Sequence, residues 1–178
     1  MPVTEDLTAL LPGRVVPDPE VARTYGVDHS PGAVAPAEFT VVRARDRGDV
    51  VEVLQYAAAH RVPVVPQGAR TATTGSAVAV QGSIVLNTEA IAHVEIDPVE
   101  RIAVVGPGVV NAALKSQLTA YSLAYPPDPA SSDSCTIGGN IATNAGGLCC
   151  VKYGVTADYV RGLEVVLPGG EVIRTGRR

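Results

Sequence analysis

One stretch of the sequence, residues 126–159, limits most strongly what this chain can fold into. Between Thr136 and Gly147 it places four glycines and four hydroxyl or amide side chains within twelve residues. Glycine lets the backbone approach another group closely because it has no Cβ, and short polar side chains add hydrogen bonds at the same surface. The composition predicts a segment that wraps around a large polar cofactor; a tight turn with a closely packed helix is the structural alternative.

The overall composition predicts a globular protein and argues against several functional classes. Of the 178 residues, 46% are hydrophobic and 18% are charged, which is typical of a folded domain. The net charge is −4 and no basic run is longer than the terminal Arg177 and Arg178, which argues against nucleic-acid binding. No apolar stretch is long enough to cross a bilayer, and the N-terminus is acidic where a signal peptide would be basic, so we expect a cytoplasmic protein.

The cysteines and histidines match no metal-site pattern, and no metal is predicted. Cys135, Cys149 and Cys150 fit neither a zinc spacing nor a secreted disulfide framework. Cys149 and Cys150 could form a strained vicinal disulfide or a soft metal site, but neighbouring cysteines meet disulfide geometry poorly, and we expect small buried residues instead. The three histidines are scattered, and His60 at the end of a helix is better explained by the helix dipole than by catalysis.

Hydrophobic periodicity and turn residues predict the elements of the first part of the chain. Residues 1–37 are rich in proline and are expected to form an irregular lead-in with one short helix at 6–11. A strand at 40–43, a helix at 46–60 capped by Asp46 or Asp49, and a strand at 62–65 then form a strand–helix–strand unit, which is typical of a parallel pair.

The second part of the chain is predicted to be mainly antiparallel. The expected elements are strands at 83–87 and 101–106, a turn at Asp97 and Pro98, helices at 109–121 and 140–145, and a hairpin formed by 163–167 and 171–174. In the helix at 109–121 the apolar face contains Leu114 and Leu118, whereas Asn111 falls elsewhere. Because the chain stops just after the hairpin, we expect it to be the front part of something longer.

A second glycine-containing segment, QGARTATTGSA at residues 67–77, follows the predicted strand at 62–65. Ligands in open α/β sheets tend to bind beyond the carboxyl ends of the strands. Successive backbone N–H groups here could form a nest for a diphosphate, with Arg70 adding a positive charge. A connecting surface loop is an equal alternative, because neither GxGxxG nor GxxxxGK[ST] is present.

Taken together, these motifs resemble the FAD-binding domain of the vanillyl-alcohol oxidase (PCMH-type) superfamily. The resemblance depends on PxGAxT…G at 66–75, YPPDP…SSDSCTIGGNIATNAGG at 125–147, KYG at 152–154 and LEVVLPGGEVIRTG at 163–176. The most similar branch contains the FAD-linked component of glycolate oxidase and the FAD-linked D-lactate dehydrogenases. The resemblance runs from about residue 38 to the end of the chain.

The resemblance implies an α+β fold with two lobes, at 38–100 and 101–178, and FAD in the crevice between them. The pyrophosphate would contact the backbone amides of the first loop, at Gly68, Ala69, Arg70, Thr71 and Ala72, with Gly75 closing the loop. The flavin and ribityl side would contact Pro127, Ser134, Thr136, Gly138, Gly139, Thr143, Asn144 and Gly146, and the hairpin strand at Val172 would pass close to the cofactor. Family members with covalent FAD often use a histidine in the first loop, and this loop has none, so non-covalent FAD is expected.

The implied activity is hydride transfer from the α-carbon of a 2-hydroxy acid to FAD, followed by reoxidation by an acceptor or partner redox subunit. In the family the substrate pocket belongs to a C-terminal cap domain, which we expect this chain to lack, so no catalytic residue is predicted. Two alternatives remain: a non-catalytic flavin-binding subunit completed by a separate polypeptide, and a reductase of an enolpyruvyl nucleotide sugar that uses NADPH. The match at 125–147 favours the hydroxy-acid branch.

Overall fold

The computed structural model describes residues 2–176, so Met1, Arg177 and Arg178 lie outside the described residues. The chain forms two compact units, one made of the residues up to 90 together with those from 162 onwards, and one made of residues 91–161. These units differ from the predicted lobes at 38–100 and 101–178. The lead-in and the C-terminal hairpin both pack within the first unit, because their contacts are with its sheet and helices.

The lead-in is more ordered than the prediction of an irregular segment with one helix at 6–11. It contains the helices α1 (Pro2–Leu10) and α2 (Pro19–Arg23). Leu7 and Leu11 are buried, and Asp18 caps α2 by accepting hydrogen bonds from backbone N–H groups of its first turn. The proline-rich composition did not reveal this packing, because α1 contacts a strand, residues 39–43, that comes later in the chain.

The third helix, α3 (Arg47–His60), follows the prediction closely. Its N-cap is Asp46, whose side chain accepts a hydrogen bond from Asp49 N. Its C-cap is Arg61, which has a positive φ of 55°. His60 is its last residue, as expected for a histidine placed at a helix C-terminus.

The sheet of the first unit is parallel and contains three strands, β1 (Phe39–Arg43), β2 (Val64–Gln67) and β3 (Ser83–Asn87). Their order is β1-β3-β2, so the predicted strand–helix–strand unit exists but its two strands are not neighbours. The intervening strand β3 is buried at every position, which explains why its sequence is apolar without alternation.

The second unit begins with an antiparallel hairpin, β4 (Val94–Asp97) and β5 (Ile102–Val105). The turn was predicted at Asp97 and Pro98, and Asp97 Oδ1 indeed accepts hydrogen bonds from Val99 N and Glu100 N, but strand β4 itself was missed. The unit continues with α4 (Asn111–Thr119), α5 (Ile137–Thr143), α6 (Cys150–Tyr153) and a 3-10 helix (Thr156–Tyr159).

The core of the second unit lies between the hairpin and helices α4 and α5. Its buried apolar residues are Val109, Leu114, Leu118 and Ile137. The prediction for α4 was right for Leu114 and Leu118 but wrong for Asn111, which is completely buried. A buried amide is stable there because it donates a hydrogen bond to a buried carbonyl group.

The chain ends in the expected hairpin, β6 (Gly162–Val166) paired with β7 (Val172–Gly176). Glu164 on β6 forms ion pairs with Arg47 of α3 and with Arg174 of β7. None of the helices within residues 2–176 is long and apolar enough to cross a membrane.

Candidate functional site

The first candidate binding segment, residues 68–77, leaves the carboxyl end of β2 as the sequence predicted. Gly68, Ala69, Arg70, Thr71, Ala72 and Gly75 are all partly buried. The loop turns with positive φ values at Arg70 (59°) and Gly75 (77°). Arginine therefore occupies a left-handed position that favours glycine.

In this loop carbonyl groups form hydrogen bonds, whereas most backbone N–H groups form none in the part of the chain that the structure describes. The carbonyl groups of Gly68, Ala72 and Gly75 accept hydrogen bonds from Asn87 Nδ2, His29 N and Val78 N. Within the described residues, by contrast, no hydrogen bond is donated by the backbone N–H groups of residues 68–74. Residues 68–72 of this run are partly buried, whereas Thr73 and Thr74 are exposed. A run of free backbone N–H groups is the arrangement that binds anions.

The side chain of Arg70 lies against its own unit. Its guanidinium carbon is 4.4 Å from the centre of the Tyr25 ring, and Nη1 is 3.6 Å from a carboxylate oxygen of Glu89. Nη1 is nevertheless buried without a hydrogen-bond partner within the described chain. The guanidinium is therefore held beside the loop with one donor available to a further acceptor.

Segment 25–30, inside the predicted lead-in, packs on this loop, and sequence reasoning missed it. Asp28 is 7% exposed, and its carboxylate accepts a hydrogen bond from Ser30 N and lies 3.5 Å from Ala77 N. Burial raises the pKa of Asp28, but hydrogen bonds from Ser30, Ala77 and Gly75 lower it, and the pKa lies below its ordinary value. The only sequence signal is an aspartate two residues before a serine, which is common in turns.

The second candidate segment, within residues 126–147, belongs to the other unit and is built around α5. Thr136 is the N-cap of this helix, is buried, and accepts a hydrogen bond from Gly139 N. Gly138 N donates to Pro107 O, and a Cβ on Gly138 would lie 2.6 Å from the Cβ of Pro107. Gly138 therefore allows the helix to approach Pro107. Gly139 has an open face, because a Cβ there would meet only the Thr136 hydroxyl, at 3.4 Å.

The start and the end of the second segment are joined by backbone contacts. Asp128 N donates to Gly146 O, and Asp128 forms a parallel bridge with Gly147. Gly147 has φ 118°, and a Cβ there would overlap the carbonyl oxygen of Asp128. Pro127 is buried, and its carbonyl oxygen accepts a hydrogen bond from Asn111 Nδ2 at 3.3 Å.

The charged partner of Asp128 is Lys115 of α4. The hydrogen bond and the positive charge of Lys115 hold the pKa of Asp128 below its ordinary value. Asn111 and Lys115, one helical turn apart, therefore both fix the PPDP stretch from α4. Sequence reasoning did not assign this role to either residue.

The remaining predicted site residues are exposed. Ser134 and Thr143 donate their hydroxyls to carbonyl groups of their own segments, and Asn144 ends α5 with a positive φ of 48° while accepting a hydrogen bond from Ala157 N. Val172 lies on β7 in the first unit and is 40% exposed. The structure therefore places the predicted residues 68–75 and Val172 in the first unit and the rest in the second.

Two tyrosines near the second segment pack against each other. Tyr125 and Tyr159 meet edge to face with ring centres 5.7 Å apart, and the Tyr159 hydroxyl donates to Tyr153 O. Burial raises the pKa of Tyr125.

The cysteines next to this segment correct one expectation. Cys149 is exposed and Cys150 is partly exposed, whereas only Cys135 is buried; all three are free thiols. The expectation of small buried residues was therefore wrong for Cys149, because the segment after Gly147 turns towards solvent.

Comparison with known proteins agrees with these features. The sequence profile described as "FAD binding domain" matches residues 40–176. Glycolate oxidase subunit GlcD of Bacillus subtilis is 43% identical over 76% of this chain and 29% of its own length. D-2-hydroxyglutarate dehydrogenase of Stutzerimonas stutzeri is 36% identical over 98% of this chain and 38% of its own length, and D-lactate dehydrogenase of Archaeoglobus fulgidus is 37% identical over 85% and 35%. The chain thus spans about a third of the length of these curated relatives.

Solved structures show the same fold. An alkyldihydroxyacetonephosphate synthase matches with a TM-score of 0.83 and 22% identity over 100% of this chain and 35% of its own. p-Cresol methylhydroxylase matches with a TM-score of 0.81 and 24% identity over 98% and 35%. The expected α+β, two-lobed PCMH-type fold is therefore confirmed.

Proposed function

The chain belongs to the FAD binding domain family, and from this membership we propose that it is the flavin-binding part of an oxidoreductase acting on a small 2-hydroxy acid. FAD as the cofactor follows from the family itself. The curated relatives are named for glycolate, D-lactate and D-2-hydroxyglutarate, which all contain a hydroxyl group next to a carboxylate. This shared chemistry supports the substrate class.

The free N–H groups of residues 68–74 are the observation that best supports the binding site. FAD contains a pyrophosphate, and a row of free N–H donors, partly buried at 68–72, suits such an anion because the neighbouring carbonyl groups are already hydrogen-bonded. The buried, unpaired Nη1 of Arg70 belongs to the same loop. We therefore assign the pyrophosphate to residues 68–72 with Gly75.

The second segment fits a different part of the cofactor. The first N–H groups of α5 are already bonded to Val109 O, Pro107 O and Thr136, so they are not free to bind phosphate. The open face at Gly139 and the nearby hydroxyl groups leave a close, neutral surface. We therefore assign the flavin and ribityl side to Pro127, Ser134, Thr136, Gly138, Gly139, Thr143, Asn144 and Gly146, and we assign Val172 of the first unit as a further contact of the cofactor.

Bound FAD supplies the redox chemistry by accepting a hydride equivalent from the α-carbon of the hydroxy acid. The residues of this chain bind and orient the cofactor: backbone N–H groups fix the phosphates and α5 presents its glycine face. We infer non-covalent binding, because residues 67–77 contain no histidine, cysteine or tyrosine that could form a bond to the flavin.

The greater length of the relatives bears on where the rest of the active site lies. Because this chain matches only about a third of their length, we place the carboxylate-binding pocket and any contact with an electron acceptor outside residues 1–178. A flavin-binding subunit completed by a separate polypeptide is the second candidate, and the same observation favours it. Mixing this chain with such a polypeptide would restore turnover only in the second case.

Flavin retention tests the proposal. The protein is mixed with FAD, excess cofactor is removed, and the absorbance spectrum is recorded for the wild type, Gly139→Asp and the matched control Ala113→Asp. Gly139→Asp places a charge on the open face of α5, whereas Ala113 is exposed on α4. We expect retained flavin in the wild type and Ala113→Asp and loss in Gly139→Asp. A folded wild type without flavin would contradict the proposal.

Anaerobic bleaching of the bound flavin tests the substrate class. Glycolate, D-lactate and D-2-hydroxyglutarate are added separately to the complete flavoprotein, and reduction by at least one of them is expected. If the flavin stays oxidised with all three but is reduced by NADPH, the hydroxy-acid assignment is wrong.

A further inference from the structure

A carboxylate outside the region matched by the family profile contacts the loop that we assign to the pyrophosphate. We propose that Asp28 is a positioning residue for FAD, whose carboxylate fixes the shape of residues 68–77 so that their free N–H groups face the cofactor. Residue 28 precedes the matched region, 40–176. The inference rests on the proposed function, and the experiment below separates the two.

The first part of the argument is the position of the carboxylate. Asp28 is 7% exposed, Oδ1 accepts a hydrogen bond of 2.9 Å from Ser30 N, and Oδ2 lies 3.5 Å from Ala77 N, at the long limit of a hydrogen bond. A Cβ on Gly75 would lie 3.8 Å from Ser30 Oγ, so the Asp28 turn also lies beside the closing glycine of the loop. The carboxylate thus connects its own turn to the C-terminal end of the loop.

Backbone hydrogen bonds extend the same contact along the loop. His29 N donates to Ala72 O at 2.9 Å, and Ala79 N donates to Gly26 O at 3.0 Å. Because His29 and Gly26 flank Asp28 in sequence, a change in the Asp28 turn would move both contacts. The turn therefore determines where the carbonyl of Ala72 points, and the planar peptide fixes the direction of the Thr73 N–H with it.

A buried glutamine provides a second connection between the same segments. Gln67 is 3% exposed, and its Nε2 donates to Tyr25 O and to Ala77 O, each at 2.8 Å. Tyr25 also contacts Arg70 through its ring. The segment at 25–30 therefore reaches both the start and the end of the loop, although the sequence places it in a proline-rich lead-in.

The charge of Asp28 argues for positioning and against direct binding. A carboxylate repels a pyrophosphate, so Asp28 would not raise FAD affinity through its own charge. Its contacts are with backbone N–H groups: a charge-assisted hydrogen bond of 2.9 Å from Ser30 N holds the turn, and a longer contact of 3.5 Å reaches Ala77 N of the loop. A loop that is already ordered binds its ligand without the cost of ordering on binding.

The chain offers a matched control. Asp18 makes the same type of contact, accepting hydrogen bonds from Glu20 N and Val21 N at the start of α2, in the same lead-in. Asp28→Ala and Asp18→Ala therefore each remove an aspartate that caps a local turn, but only the first one faces the loop. Asp28→Asn is the conservative variant, because an amide keeps one acceptor oxygen.

Two measurements read out the loop. Trypsin cleaves after Arg70, whose side chain is packed in the folded protein, so the rate of this cleavage without FAD reports local opening. FAD affinity is measured by titration. For Asp28→Ala we expect faster cleavage after Arg70 at an unchanged circular dichroism spectrum and about tenfold weaker FAD binding, with Asp28→Asn between it and the wild type. Asp18→Ala should match the wild type in both.

The possible results separate the hypotheses. The inference would be overturned if Asp28→Ala left both the cleavage rate and the FAD affinity unchanged, or if it raised the cleavage rate alone. It would also be overturned if Asp18→Ala changed both quantities as much as Asp28→Ala does. If Asp28→Ala does not fold, Asp28→Asn decides by the same two criteria. If the wild type itself binds no FAD, the proposed function fails, whereas the cleavage comparison still shows whether Asp28 orders the loop.

Discussion

The two glycine-containing segments of this protein look alike in composition but differ in how their backbone groups are used. In residues 68–77 the carbonyl groups of Gly68, Ala72 and Gly75 are hydrogen-bonded within the fold, and the N–H groups of 68–74 are free within the described residues. At the start of α5 the N–H groups are bonded to carbonyl groups and to the cap Thr136.

This difference shows that glycine content alone does not identify an anion site. In the second segment Gly138 and Gly147 allow two parts of the backbone to approach each other, since a Cβ at either position would clash with Pro107 or Asp128. In the first segment Gly75 adopts a positive φ, and a Cβ there would meet only Ser30 Oγ, at an ordinary contact distance of 3.8 Å. The same residue type therefore allows close backbone packing in one unit and a left-handed turn in the other.

The largest expected effect on the free energy of unfolding comes from replacing one glycine by alanine in each segment. Gly147→Ala should destabilise the protein by more than about 3 kcal/mol, because the Cβ would overlap a backbone carbonyl group that cannot move away. Gly75→Ala should cost about 1 kcal/mol, since only the positive φ opposes it. Urea unfolding measures both, and similar losses would remove the distinction between the segments.

A smaller effect is expected at the buried amide behind the second segment. Asn111→Ala leaves the buried Pro127 carbonyl without its donor and should cost about 2 kcal/mol. Gln117→Ala, at an exposed position of the same helix, should change the free energy of unfolding by less than about 0.5 kcal/mol. Equal values for the two variants would show that α4 does not stabilise the PPDP stretch through Asn111.

The pKa values of Asp28 and Asp128 should respond differently to salt, whereas both carboxylates should lose their contribution to stability in acid. Both pKa values lie below the ordinary 3.8, so each carboxylate contributes stability that is present above that value and is lost as the pH falls through the lowered pKa. Salt at about 1 M should raise the pKa of Asp128 towards 3.8 by screening Lys115. It should leave the pKa of Asp28 nearly unchanged, because the groups that lower it are uncharged hydrogen-bond donors of Ser30, Ala77 and Gly75. Carboxyl-carbon NMR titration at two salt concentrations measures this, and equal shifts would contradict it.

The smallest effect is expected just after the second segment. Cys149→Ser should change stability by less than about 0.5 kcal/mol because the side chain is exposed. A thiol reagent should modify Cys149 in the folded protein and Cys135 only after unfolding. Slow labelling of Cys149 would show that the end of this segment is covered in solution.

Much of the fold could be predicted because its signals are local. Helix α3 has an aspartate cap and apolar residues at helical spacing, strand β3 is a short apolar run, and the hairpin β6–β7 surrounds Pro-Gly-Gly. Strand β4 has a weaker signal, because two of its four residues are acidic and exposed. The order of the strands in the parallel sheet also could not be predicted, because β3 lies between β1 and β2, which are consecutive strands in the sequence.

In the candidate site, too, the local motifs could be predicted and the contacts between distant residues could not. The motifs at 66–75 and 125–147 predicted the binding segments and the cofactor, and the family match confirms the cofactor. Neither the contact of Asp28 with Ala77 nor that of Asn111 with Pro127 could be predicted, because the first joins residues 49 positions apart and the second depends on which face of α4 is buried.

The sequence by itself determined the family, the FAD cofactor and the location of the glycine-containing segments, because each of these depends on residue types at short, fixed spacings. Only the tertiary structure decided which backbone N–H groups remain free, that the lead-in at 25–30 supports the first loop, and that Gly138 and Gly147 serve packing. These properties depend on hydrogen-bond partners brought together by folding, and a glycine or an aspartate looks the same in sequence whichever partner it meets.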